Sequence, residues 1–116
     1  MKKKNIIKRK DEFTSIIRAR RQMNEKALSF YYQQKKEEEN RLGISVVNKL
    51  GNAVERNKAK RQLRAMIDEI FTWQESFDAV IVIRESFKNN SYEDNKKSLE
   101  KCYKKVKISC EDKEKS

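Results

Sequence analysis

The chain has 116 residues, enough for one small domain, and only 36% are hydrophobic while 41% are charged, which leaves one thin core and no deep substrate cavity. Its 29 Lys plus Arg against 18 Asp plus Glu give a net charge of +11, an excess that points to a polyanionic partner. Histidine is absent, which removes His-based acid–base catalysis, Ser–His and Cys–His nucleophile pairs and His-ligated zinc.

The basic start, Met1 to Lys10, has no apolar stretch of secretory-signal length behind it, and no apolar run approaches the roughly 20 residues of a membrane span. A cytoplasmic protein with no membrane contact is expected. Phe13, Ile16 and Ile17 fall at i, i+3 and i+4, which predicts a short first helix opened by Asp11 and Glu12. A short extended stretch is expected around Gln22–Lys26. From Leu28 to Gln33 apolar and polar residues alternate, with Leu28, Phe30 and Tyr32 on one side and Ser29, Tyr31 and Gln33 on the other. This strand is expected to end in a charged hairpin loop, Lys35–Asn40, leading to a second strand over Arg41–Lys49 with Leu42, Ile44 and Val46 inward.

Gly51 and Asn52 break that strand and open a long helix reaching to about Trp73, with Asn52 as N-cap and Glu55 three residues on as its capping-box partner. Asp78–Arg84 contains five consecutive apolar residues without alternation, the mark of a strand covered on both faces. Ser91 and Asp94 then cap a last helix with Tyr92, Leu99, Cys102, Tyr103 and Val106 on its inner face. The order is α-β-β-β-α-β-α, an α+β fold read as a two-layer sandwich. One domain is expected over residues 1–107, with 108–116 as a frayed tail. Cys102 and Cys110 on one helix stand about 12 Å apart by rise alone, too far for a disulfide, so two reduced thiols are expected.

The densest chemical signal lies on the long helix. At 100° per residue Arg56, Lys60 and Arg64 form one row, flanked by Asn57 and Arg61, beside an apolar stripe of Ala59, Leu63, Met66, Ile67 and Ile70. Like charges at i, i+4 repel by a few tenths of a kcal/mol per pair, and Glu55 is the one acid between residues 50 and 67. A row of this kind fits phosphate binding better than plain solvation, and the Arg guanidinium groups suit bidentate phosphate contacts. Of the aromatics, Phe30 and Tyr32 align with Leu28 and belong to the core. Tyr31, between polar neighbours, is the better candidate for stacking on a base. The carboxylates are dispersed in sequence, which argues against a protein-borne catalytic metal.

The run Arg56-Asn57-x-x-Lys60-Arg61-x-x-Arg64, directly after Lys49-Leu-Gly-Asn-Ala-Val54, resembles the signature of the bacterial ribonuclease P protein subunit. The resemblance extends to the basic start leading to Phe13, the Leu42–Val46 strand, the strand from Asp78 to Arg84 and the Lys-Lys-Ser-Leu99 helix. It implies a protein that joins a catalytic RNA and helps it remove the 5′ leader of precursor tRNA, the RNA and its magnesium ions performing the hydrolysis. Carried over by position, Arg56, Asn57, Lys60, Arg61 and Arg64 are expected to contact the catalytic RNA. Phe13 and Tyr31 match positions lining the family's leader cleft, with Lys49 at its edge. Ile17 stands where many relatives have a second aromatic, Asn48 replaces a frequent lysine, and Ser86 ends the family's Arg-x-Pro. A left-handed β-α-β crossover is expected from the resemblance alone, and no obligate protein partner is expected. The alternatives are an RNA chaperone or ribosome-associated protein of similar fold, and a self-contained nuclease.

Overall fold

A computed structural model describes residues 5–19, 21–35, 38 and 40–115, with side chains of the last helix described as far as Ser109. Helix α1 spans Lys10–Arg18, followed by strands β1 (Gln22–Asn24), β2 (Leu28–Gln34) and β3 (Leu42–Val46). A 3₁₀ turn at Asn48–Leu50 leads into α2 (Ala53–Ile70), then β4 (Phe77–Ile83), a 3₁₀ turn at Glu85–Asn89 and α3 (Tyr92–Lys115). The expected α-β-β-β-α-β-α order is the one observed, and α3 continues past Lys107.

The four strands form one sheet in the order β1-β2-β4-β3. β4 pairs antiparallel with β2, with Phe30 opposite Ile81, and parallel with β3, with Ile44 opposite Ile81. The expectation of a hairpin between β2 and β3 is therefore wrong: β4 lies between them, pairing with β2 on one edge and β3 on the other, and residues 36, 37 and 39 of the expected loop lie outside the described residues. The reason lies in the apolar character of β4. Every residue from Phe77 to Ile81 is buried, and so is Ile83, and a strand that buries both faces is stable only with neighbours on both edges. β3 is also shorter than the predicted Arg41–Lys49. At its start the Arg41 N–H donates to Asp78 Oδ1 at 2.8 Å, and after Val46 the chain turns into the 3₁₀ segment.

One sheet face carries Leu28, Phe30, Tyr32, Leu42, Ala79, Ile81 and Ile83. Helices α2 and α3 cover it with Leu63, Met66, Ile67, Leu99, Cys102, Tyr103 and Val106, which makes the two main layers. Phe30, Phe71, Phe77 and Tyr103 meet at its centre, the Phe71 and Tyr103 rings 4.7 Å apart. Helix α2 ends at Ile70 rather than near Trp73, because the Glu75 carboxylate draws in the Thr72 N–H at 2.7 Å and its hydroxyl at 2.9 Å. A carboxylate that accepts both donors of Thr72 offers that backbone more than another helical turn would. The opposite sheet face is only partly covered. There α1 sets Ile16, Phe13 and Ile17 against Tyr31, Val80 and Val82.

Candidate nucleic-acid interface

Helix α2 begins as its sequence dictates. Asn52 Oδ1 accepts from the Glu55 N–H at 2.9 Å while Glu55 Oε1 accepts from the Asn52 N–H at 3.3 Å, which closes the capping box. Ala59, Leu63, Met66 and Ile67 are buried, and this orientation determines where the charged residues go. On the flank facing α3 and the turn before it, charge is neutralised within the protein: Glu55 pairs with Lys88 at 3.2 Å, and Glu69 pairs with Lys96. The Lys88 and Asn52 contacts of Glu55 hold its carboxyl below the usual range, the backbone hydrogen bond from Asn52 being the larger influence.

The other flank of α2, toward the edge strand β3, carries Arg56, Lys60 and Arg64. Asn57, Arg61 and Arg64 are exposed, while Arg56 and Lys60 are half-buried, so the row is less uniformly solvent-facing than its spacing predicts. Arg56 explains the difference, because its Nη1 donates to Asn48 Oδ1 at 2.8 Å. The residue that stands where a lysine is frequent thus orients an arginine of the helix, a role that spacing alone does not disclose.

The second surface is the sheet face under α1. Ser29, Tyr31 and Gln33 from β2, Val80 and Val82 from β4, and Gly43 and Ser45 from β3 share it by register. Tyr31 is half-buried, packed against the cluster of Ile7, Ile16 and Val80 that α1 and its preceding segment form with the sheet. Phe13 lies directly over Gly43, where an added Cβ would sit 2.4 Å from Phe13 Cε2. Arg84 Nε donates to the buried Ser29 Oγ at 2.7 Å, which brings a guanidinium to the floor of this face. Lys49 is exposed in the 3₁₀ turn after β3, next to Asn48. Asn48 ties the start of α2 to the C-terminal end of β3, where Lys49 is exposed, while Phe13 and Tyr31 lie at the level of Gly43 and Val80 near the start of β3.

Sequence reasoning passed over one group. Arg41 Nη1 bonds Glu12 Oε2 of α1, and its Nη2 lies 3.6 Å from Asp78 Oδ2 of β4. The signal was present as Asp78 in an otherwise apolar strand, since a charge buried in such a place has to be paired. Elsewhere, Glu75 is buried and accepts from the Tyr103 hydroxyl as well as from Thr72. Desolvation pushes its carboxyl up, the Tyr103 and Thr72 hydrogen bonds together outweigh that, and the net shift is down. Burial, reinforced by Glu75, raises the Tyr103 phenol to about 12. Burial also lifts the Cys102 thiol to about 11, while the Cys110 side chain lies outside the described residues. Among the described residues no three carboxylate or thiol side chains gather in a way that could hold a metal ion, and no helix is long and apolar enough to cross a membrane.

Taken together, the fold and this surface define a small basic α+β protein with an aromatic-floored sheet face, roofed in part by one helix, beside a cationic helix flank. The ribonuclease P family profile matches residues 1–107. The ribonuclease P protein component of Mesoplasma florum is 46% identical over 103 residues, covering 87% of this chain and 94% of that protein. That of Bacillus velezensis is 33% identical over 109 residues, covering 93% and 94%. The Staphylococcus aureus RNase P protein superposes with a TM-score of 0.79 at 31% identity, covering 90% of this chain and 96% of that one. The chain belongs to the bacterial ribonuclease P protein family, the protein component of an endoribonuclease of tRNA processing.

Proposed function

We propose that this protein binds the catalytic RNA of ribonuclease P through Arg56, Asn57, Lys60, Arg61 and Arg64, and holds the 5′ leader of precursor tRNA against Phe13 and Tyr31 with Lys49 at the rim. The observation that carries this reading is that the edge strand β3 borders both surfaces: Phe13 lies over Gly43 near its start, and Asn48 just past its end holds Arg56 of the cationic flank. Stacking on an aromatic ring is worth about 1–3 kcal/mol per base and tolerates any sequence, which suits a protein that meets many different leaders. The hydrolytic step belongs to the RNA. The chain has no histidine, and among the described residues no carboxylates converge in a way that would hold a cation, so the described residues do not fit a protein-borne magnesium site and the magnesium ions are assigned to the RNA.

The test is assembly of the holoenzyme as a function of salt. With about six phosphates contacted, log K should fall against log salt with a slope near −4 to −5. Changing Arg56, Lys60 and Arg64 together to Ala should keep the helical spectrum, because Ala is the best helix former. It should also make the slope shallower by about 2 to 3. An unchanged slope in the triple variant would remove this flank from the RNA interface.

A further inference from the structure

We propose that Arg41 is a positioning residue for the leader cleft, fixing the rotation and height of α1 over the sheet and hence the place of the Phe13 ring. The proposal rests on the leader-binding reading given above and assigns to it a device outside the cleft itself.

The argument begins with register. Leu42 is paired with Ala79 and Gly43 with Val80, so Arg41 stands opposite Asp78 on the side of the sheet that faces α1. Two consecutive residues of α1 therefore meet alternate residues at one end of β3: Glu12 bonds Arg41, and Phe13 sits on Gly43. The Arg41 side chain is 12% exposed, Glu12 23% and Asp78 0%, so this is a largely desolvated charge cluster and not a surface pair. Asp78 also holds the strand itself, accepting the Arg41 N–H at 2.8 Å. The guanidinium is thereby anchored to the sheet on one side and grips the helix on the other.

Among the described residues the other contacts of α1 itself with the sheet are apolar, through Ile16, Phe13 and Ile17 against Val80, Val82 and Tyr31, and three residues before the helix the Ile7 N–H donates to the Leu42 carbonyl at 3.0 Å. Apolar contact is non-directional and resists sliding or rotation of a helix only weakly. A charge-assisted bond from a planar guanidinium is directional. Because successive residues are 100° apart around a helix, pinning Glu12 sets the direction in which Phe13 projects. The Ile7–Leu42 bond fixes where the chain enters α1 but not the rotation of the helix, so without the Arg41 pin α1 is freer to roll on its apolar stripe and the place of the Phe13 ring relative to Tyr31 is no longer defined.

Removing Arg41 or Asp78 outright would leave a buried charge unpaired and endanger the fold, so the test acts at the outer end of the cluster. Holoenzyme is rebuilt with Glu12→Gln, and separately with Arg41→Lys, which keeps the charge and loses the fork. Affinity for precursor and mature tRNA and the single-turnover cleavage rate at saturation are measured with each, and helical content is followed by circular dichroism. Both variants are expected to lower precursor affinity by about threefold to tenfold, the scale of coupling within one network, and to leave mature tRNA affinity and the saturated rate unchanged. In a Phe13→Ala background Glu12→Gln is expected to have no further effect, because Arg41 acts through that ring. Loss of precursor preference in Phe13→Ala but not in Glu12→Gln or Arg41→Lys would overturn the positioning role while sparing the leader reading. An undiminished effect of Glu12→Gln in the Phe13→Ala background, or equal losses for both tRNAs, would overturn it too. No loss of precursor preference in Phe13→Ala would refute the leader reading and this proposal with it.

Discussion

Gly43 offers a direct test of how α1 is seated. It is a strand residue without positive φ, since Gly51 is the one glycine with φ above zero, so its missing side chain serves space and not backbone freedom. An alanine Cβ there would lie 2.4 Å from Phe13 Cε2 and 2.8 Å from Cδ2, against the 3.5–4.0 Å at which carbon atoms make favourable contact. The ring must withdraw by about 1 Å or more, yet it is packed against the cluster of Ile7, Ile16 and Val80. Overpacking of this kind costs about 1–3 kcal/mol. At about 4 °C per kcal/mol for a domain of this size, Gly43→Ala should lower Tm by about 4–12 °C. In a Phe13→Ala background the same change should cost nothing, because the obstructing ring is gone and alanine is the better strand residue. Thermal melts of the four proteins in this cycle give the coupling directly. Equal losses in the two backgrounds would refute the steric argument and with it the placement of Phe13 over Gly43. The cycle also predicts function: with the ring displaced, Gly43→Ala holoenzyme should lose affinity for precursor tRNA while its affinity for mature tRNA stays unchanged.

Tyr31→Ala should remove about 1–3 kcal/mol of stacking, roughly 5- to 150-fold in precursor affinity, with little change for mature tRNA. The saturated single-turnover rate should hold, since binding that is equal in ground and transition states does not raise kcat, whereas equal losses for both tRNAs would move Tyr31 out of the cleft. Glu75 titrates below its ordinary 4.5 in the folded protein, so its contribution is complete above the unfolded value and disappears as pH falls through the folded one. Glu75→Gln should therefore cost stability at pH 7 in denaturant titrations, and the gap to the parent protein should close in acid; a gap independent of pH would contradict this. In a Cys110→Ser background the buried Cys102, with its thiol raised to about 11, should react with a disulfide reagent at pH 8 only as fast as the protein opens. Rapid stoichiometric labelling would show that the inner face of α3 is not packed against the sheet as described.

Much of this protein is local and so could be read from its residues in order. The α2 capping box is closed by groups three residues apart, and the apolar stripe of α2 and its cationic row follow from the 100° turn alone. The alternation over Leu28–Gln33 placed Tyr31 on the face away from Phe30 because the strand period is two, and the unbroken apolar run of β4 announced burial on both sides. The resemblance carried by Arg56, Asn57, Lys60, Arg61 and Arg64 likewise needs no tertiary information, since its residues are one helix apart at most.

What required the tertiary structure is what depends on which distant segments become neighbours. Periodicity names the face of a strand but not its partner, so the insertion of β4 between β2 and β3 was invisible, and a hairpin was the natural expectation for two strands joined by a short polar loop. The Glu12–Arg41–Asp78 cluster joins residues 29 and 37 positions apart, the room that Gly43 leaves for Phe13 spans 30, and neither has a local signature beyond one charged residue in an apolar strand. Asn48 shows the same limit on a smaller scale: by composition it subtracts a charge, and only the packing of α2 against the end of β3 turns it into the acceptor that holds Arg56. Dihedral preference and period act within a few residues, whereas register, close approach and charge pairing are decided by the burial of the whole chain at once, and it is these that place Phe13 over Gly43 and Arg56 beside Asn48 along one edge strand.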